Sequence, residues 1–288
     1  MSSLPLFSTA VSLLRWQTAQ AVELIADELA VEEPLEIRVN GRSVAVTMRT
    51  PGHDRELATG FLFSEGVIRG PDDLLDILVC RTLPDGQQGN IVDVQVRPEL
   101  AVDFDRLTRH VFSASSCGLC GKATLDSVFQ TILPVSSDMT FDPALVATLP
   151  SRIQAAQPGF DSTGGVHASA IFSRHGQLRV IREDIGRHNA LDKILGHALL
   201  HEGAADSSLR DAMLLVSGRV SFELVQKALV AGIPLIAGIG APSSLAVECA
   251  QRGGQTLVGF LRADRMNVYA GAERLGLAAT PLGLEVAP

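Results

Sequence analysis

The feature that most constrains this chain is a rhythm of strands and helices that begins at Val166. Strands are read at 166–172, 178–182, 212–216, 233–237 and 256–261, and helices at 188–201, 221–230 and 243–251, with a turn at Arg174-His175-Gly176. A strand, a helix of about ten residues and a further strand make a crossover that joins parallel neighbours, so the pattern predicts a mainly parallel α/β sheet. Ligands of such sheets collect beyond the carboxyl ends of the strands. Three loops fall there: Ser217-Gly218-Arg219, Gly238 to Ser244, and Phe260-Leu261-Arg262-Ala263-Asp264-Arg265. Two of them enter helices through Ser221 and Ser243, where free N–H groups and the dipole favour an anion. Gly240 allows close backbone approach, and Arg219, Arg262 and Arg265 add charge for phosphate oxygens. Asp264 reads either as an ion-pair partner of these arginines or as an acceptor for a base or ribose. Taken alone, Gly238-x-Gly240 is ordinary turn punctuation.

The first half reads differently. Leu35, Ile37 and Val39 alternate up to Asn40-Gly41 and are answered by Val44, Val46 and Met48, a hairpin signal because both turn residues tolerate positive φ. Asp54–Ser64 is expected to be a helix with Asp54 as its N-cap. Residues 77–83 and 91–96 read as a strand pair across Pro84-Asp85-Gly86. Prolines 134, 143, 150 and 158, with Gly164-Gly165, mark a connecting region. The expected organisation is a flexible lead at 1–15, an α+β unit at 16–132, a connection at 133–165, an α/β unit at 166–275 and a tail at 276–288.

Composition narrows the partners. With 24 Lys+Arg against 32 Asp+Glu the net charge is -8, which argues against a nucleic-acid backbone as ligand. Thirteen aromatic residues (11 Phe, 1 Trp, 1 Tyr) are too few for base-stacking platforms. The longest apolar run, Ala228 to Ala241, is interrupted by Gly232, Pro234, Gly238 and Gly240, so no membrane span is expected. The N-terminal stretch lacks the basic start of a secretion signal, its first positive charge being Arg15, and the expectation is a cytoplasmic protein.

Four cysteines then carry the chemistry. Cys80 and Cys249 lie in apolar runs and read as small hydrophobes. Cys117 and Cys120 form a C-x-x-C before a predicted helix, with Lys122 close by, a setting that stabilises a thiolate. A thioredoxin-type disulfide would open a βαβ unit, whereas this pair follows a polar loop. Structural zinc needs two further ligands at recognisable spacing, and neither a second C-x-x-C nor an H-x3-5-H is read in the chain, so that His110, His167 and His188 could be brought in only by the fold. A zinc deaminase needs H-x-E and P-C-x-x-C, and both are missing. A persulfide carried on a loop is the fourth reading. The polar cluster Glu183 to Asn189 reads equally as helix capping or as a ligand-facing edge containing His188.

Ser115-Ser116-Cys117-Gly118-Leu119-Cys120-Gly121, Thr163-Gly164-Gly165-Val166-His167-Ala168 and Glu183-Asp184-Ile185-Gly186-Arg187-His188-Asn189-Ala190-Leu191-Asp192-Lys193, followed by Ser217-Gly218-Arg219, Leu257 to Phe260 and Arg265, resemble the formate dehydrogenase accessory sulfur-carrier family, FdhD. The resemblance covers roughly residues 30 to 272. It implies a cytidine-deaminase-like α/β fold, a three-layer sandwich with a mainly parallel sheet in the C-terminal half beside a smaller α+β N-terminal unit. It further implies a cytoplasmic homodimer that takes sulfur from a cysteine desulfurase and passes it to the molybdenum bis(molybdopterin guanine dinucleotide) cofactor of formate dehydrogenase. By this match Cys117 is the persulfide-carrying cysteine and Cys120 its companion. Phe260, Leu261, Arg262, Ala263, Asp264 and Arg265 match the family's cofactor-binding segment, beside the strand-end residues Ser217, Arg219, Gly240 and Ser243. GDP or GMP would mimic the cofactor, and no resident metal is expected. The rival reading is a cofactor-binding chaperone in which the C-x-x-C is structural and binds zinc.

Overall fold

The computed structural model describes residues 7–18, 22–82, 88–104, 107, 134–202 and 209–277. The N-terminal part comprises β1 (Ser8–Arg15), β2 (Glu23–Ala30), β3 (Glu33–Val39), β4 (Arg42–Arg49), α1 (Asp54–Ser64), β5 (Leu74–Thr82) and β6 (Gln88–Val96). Next come α2 (Pro143–Gln154), α3 (Pro158–Thr163), β7 (His167–Phe172), β8 (Leu178–Asp184) and α4 (Arg187–His197), which runs on into a π-helical turn at Ala198–Glu202. The chain continues through β9 (Met213–Val216), α5 (Phe222–Val230), β10 (Leu235–Gly238), α6 (Ser244–Arg252), β11 (Thr256–Arg262) and β12 (Arg265–Ala270).

Alternation of side chains explains the larger sheet, ordered β12-β11-β10-β9-β7-β8. Ala170, Phe172, Met213, Leu215, Leu235, Ala237 and Val258 face Val146, Leu149 and Ile153 of α2. Their neighbours Ile171, Leu214, Val216, Ile236 and Leu257 face α4, α5 and α6 on the other side. Period-two strands buried on both faces therefore read as continuous apolar runs. The sheet is mixed rather than mainly parallel. β9, β10 and β11 are parallel neighbours, whereas β7, antiparallel to both β8 and β9, stands between β8 and the rest, and β12 is antiparallel to β11. The reason is local, because β7–β8 and β11–β12 are hairpins with tight turns and no helix to carry a crossover.

Other expectations shift as well. Residues 8–15, expected to be a loose lead, pair along their length with β2 in a separate two-stranded sheet. The proline-rich connection supplies α2, which covers one sheet face. Cys249 is buried as expected, but Cys80 is exposed on β5, an edge strand. No helix of the described residues is long and apolar enough to cross a membrane.

The smaller sheet is ordered β4-β3-β6-β5, with β3 parallel to β6. Asn40 and Gly41 turn β3 into β4 with φ of 49° and 79°, as their side chains allow. Leu35, Ile37, Val39, Val92, Val94 and Val96 pack beneath Leu57, Ala58 and Leu62 of α1. Asp54 begins that helix but does not cap it. His53 holds the cap position at φ 58°, while the Asp54 carboxylate pairs with buried Arg49 at 2.9 Å.

The two sheets are joined where α1 crosses α4. A Cβ on Gly60 would stand 1.8 Å from the Asp192 carbonyl oxygen, and one on Gly196 would stand 1.8 Å from that of Glu56. Each helix therefore needs its glycine for backbone to meet backbone. Gly196→Ala is expected to destabilise the protein by about 3 kcal/mol, read from urea unfolding midpoints, because the crossing cannot open without disturbing both cores.

Candidate functional site

The loops after β9, β10 and β11 meet at one end of the larger sheet, as the strand order requires. Backbone hydrogen bonds lace them together. Gly240 N–H donates to the Gly218 carbonyl at 3.0 Å, and the Gly240 carbonyl accepts from Phe260 N–H at 3.0 Å. A Cβ on Gly240 would lie 2.9 Å from Arg219 N, so this loop contact admits only glycine. Ser217 donates its backbone N–H to the Ala168 carbonyl, and its hydroxyl accepts from Ala168 N–H, both at 2.9 Å. Ser243 caps α6 by accepting from Ala246 N–H.

Ser217, Arg219, Gly240, Ser243, Phe260 and Arg262 are thus gathered, and Arg265 pairs in register with Arg262 across the turn at Ala263-Asp264. Arg219, Arg262, Ala263, Asp264 and Arg265 are exposed. Two members differ from the simple picture of ligand-facing side chains. Leu261 is wholly buried in the core, leaving its backbone alone at the mouth. Arg262 folds back so that Nη1 donates to the Ile239 and Leu261 carbonyls at 2.8 Å, bracing the loops. Phe260 has positive φ, 50°, and remains 43% exposed. Cys117 and Cys120 lie outside the described residues, as do His110 and Lys122.

A second rim lies at the same end because β7 runs opposite to β9. His167, which opens β7, pairs in register with Asp184 at the end of β8. Gly218 approaches its imidazole so closely that a Cβ there would be 3.3 Å from Nδ1. Burial, reinforced by the positive charges of Arg187, His188 and Arg219, holds the His167 pKa below the usual histidine value. His188 Nε2 stands 2.8 Å from a Glu223 carboxylate oxygen and 3.3 Å from Ser221 Oγ. Arg187 Nε is buried with no hydrogen-bond partner among the described residues.

Asp184 resolves the other reading of this cluster. Its side chain is fully buried, accepts from Thr50 N–H, Gly186 N–H and Asn189 Nδ2, and pairs with Lys193 Nζ at 2.7 Å. Lys193 also donates to the Thr50 and Glu183 carbonyls. Burial lowers the Lys193 pKa while the Asp184 carboxylate opposes that shift. Asp184 is therefore an anchor that ties the loop before α4 to the smaller sheet, and it does not reach the mouth.

One group of residues is absent from the sequence reading. Glu56, His197 and His201 converge at the far end of α4 with ligand atoms within 4.8 Å of one another. The signal that could have found them is His197-Ala198-Leu199-Leu200-His201, an H-x3-H spacing on a helix.

Two outcomes follow from these surroundings. Lys193→Ala is expected to lower unfolding free energy by about 3–5 kcal/mol, because it strands a buried carboxylate. In an NMR titration His167 should show a pKa below 6.5, and Arg219→Ala should raise it only part of the way, since burial is the larger cause.

Comparison with known proteins gives the family of the chain. The FdhD/NarQ family profile matches residues 30–276. "Sulfur carrier protein FdhD" from Streptomyces coelicolor is 52% identical over 264 residues, covering 90% of this chain and 93% of the relative. The protein of the same name from Mycobacterium tuberculosis is 45% identical, covering 93% of this chain and 99% of the relative. Among solved structures, a putative formate dehydrogenase accessory protein from Desulfotalea psychrophila superposes with a TM-score of 0.72 at 26% identity, covering 93% of this chain and 99% of that one. By this extent of identity and of shared fold, the chain belongs to the FdhD/NarQ family.

Proposed function

We propose that this protein is a sulfur carrier in formate dehydrogenase maturation, working through a persulfide on Cys117. The observation that carries the reading is 52% identity, across nine tenths of the chain, to a protein named as a sulfur carrier. In the proposed sequence, Cys117 thiolate attacks the terminal sulfur of a cysteine desulfurase persulfide. The desulfurase S–S bond breaks, its cysteine leaves as thiolate, and Cys117 becomes Cys–S–S⁻. Cys120, three residues on, is its companion in the C-x-x-C.

The acceptor in this reading is the molybdenum bis(molybdopterin guanine dinucleotide) cofactor, handled as cargo. Its phosphates suit the strand-end mouth, where exposed Arg219 and Arg265 offer charge and donors. The N-termini of α5 and α6 add backbone N–H groups, and exposed Phe260 offers a face to a guanine ring. Transfer cleaves the Cys117 S–S bond and releases the thiolate. The sulfur leaves as sulfane sulfur, so the acceptor supplies the two electrons that convert it to sulfide. A homodimer in the cytoplasm is part of the same proposal.

Incubation with a cysteine desulfurase and cysteine should add one sulfur atom to the Cys117 peptide, visible by mass spectrometry and removed by dithiothreitol. Cys117→Ala should carry none and should fail to restore formate dehydrogenase activity. Restored activity by that variant would overturn the mechanism. GDP should bind the wild-type chain and bind Arg219→Ala at least about tenfold more weakly, as expected for loss of a charged phosphate contact.

A further inference from the structure

One helix length from the mouth, about 15 Å along α4, a second constellation has no part in the proposed sulfur transfer. Glu56 Oε1 lies 2.9 Å from His197 Nδ1 and 3.7 Å from His201 Nε2. His53 Nδ1 stands 3.3 Å from the other carboxylate oxygen. We propose that Glu56, His197 and His201 form a site for a divalent transition metal of the zinc type, with His53 positioned as a further ligand or supporting group.

Geometry is the first support. Ligands about 2.0–2.2 Å from a tetrahedral ion stand roughly 3.4 Å apart, and the two observed spacings bracket that value. The set comprises imidazole nitrogens and one carboxylate, the donors that suit zinc or cobalt rather than magnesium or calcium. A second support is the backbone. His201 sits in the π-helical turn Ala198–Glu202, a rare geometry that recurs at functional sites. Here it stacks His201 against His197, with ring centroids 4.6 Å apart and the rings tilted by 44°.

Arg182 already acts as a cation in this place. Its Nε donates to Glu56 Oε2 at 2.6 Å, while Nη2 lies 2.8 Å from Oε1 and 2.9 Å from His197 Nδ1. His197 Nδ1 therefore faces a donor and an acceptor at once, and no single tautomer satisfies both. A metal between Oε1 and Nδ1 replaces the Nη2 contact, whereas the Nε bond to Oε2 and the Nη1 bond to the Ile181 carbonyl keep Arg182 in place. The remaining positive charge weakens the ion's binding, so the site is exchangeable rather than permanently filled. Because Glu56 belongs to α1 and both histidines follow from α4, the ion clamps the two sheets at their crossing.

The test is Co²⁺ titration of the full-length Cys117→Ser/Cys120→Ser chain, which removes the reactive thiols as ligands. Visible absorption should saturate at one ion per chain without a thiolate charge-transfer band, Zn²⁺ should bleach it, and the melting temperature should rise with ion concentration. His201→Ala, which removes a mostly exposed side chain, should weaken binding by roughly tenfold or more and abolish the melting shift. Binding unchanged by both His201→Ala and His197→Ala, or no saturable binding, would overturn the proposal. Persulfide formation on the chain with native cysteines reads the sulfur-carrier proposal separately.

Discussion

The close crossing of α1 and α4 is the constraint on which the rest of the structure depends. Two helices meet at Gly60 and Gly196 with each backbone against the other, and there is no space for a single methyl group on either side. Each helix packs its remaining apolar face on a different sheet, so the crossing is also the joint between two cores. Helices usually approach to 8–10 Å through interlocked side chains. The direct approach here fixes register to within a fraction of a residue and leaves no soft layer to absorb error.

Charge pairs flank that joint and give it a unique register. Lys227 Nζ contacts both oxygens of the Asp192 carboxylate at 2.8 Å, with Ser64 Oγ donating to the same group at 3.0 Å. On the other flank Asp184 and Lys193 meet in full burial beneath Thr50. Buried ion pairs of this sort contribute little net stability over apolar packing, but a slipped helix would leave each charge unpaired at considerable expense. The apolar faces hold the helices down, and the charges decide where they sit.

Much of this was legible in the sequence, for reasons that differ by region. The Asn40-Gly41 turn, the bounds of α1 and the rhythm after Val166 all arise from local periodicity and turn chemistry. Strand direction was less legible, because the apolar run of β7 looks alike whichever way the strand points, and β12, of mixed and partly exposed sequence, was not read as a strand at all. Arg174-His175-Gly176 was read as a turn, yet its consequence for the sheet, an antiparallel pair at one edge, is topological. Asp54 shows how tertiary demand overrides a local preference: buried Arg49 claims its carboxylate, so the capping role is lost. At the site, glycines and arginines were visible as loop composition. The H-x3-H spacing of His197 and His201 was there to be read, but Glu56 joins them only through a helix crossing between residues more than 140 positions apart, which no short motif records.

Phe260 carries a consequence beyond its place at the mouth. A bulky residue in the left-handed region costs about 1–2 kcal/mol relative to glycine, and a ring left 43% exposed recovers little of that through burial. Its backbone is held there by the bond from its N–H to the Gly240 carbonyl, itself dependent on a glycine that nothing larger can replace. Redesign of this chain for thermal endurance alone would select glycine at position 260 and remove an exposed aromatic surface at that edge. The strained ring marks a point where folding and ligand recognition pull the sequence in opposite directions.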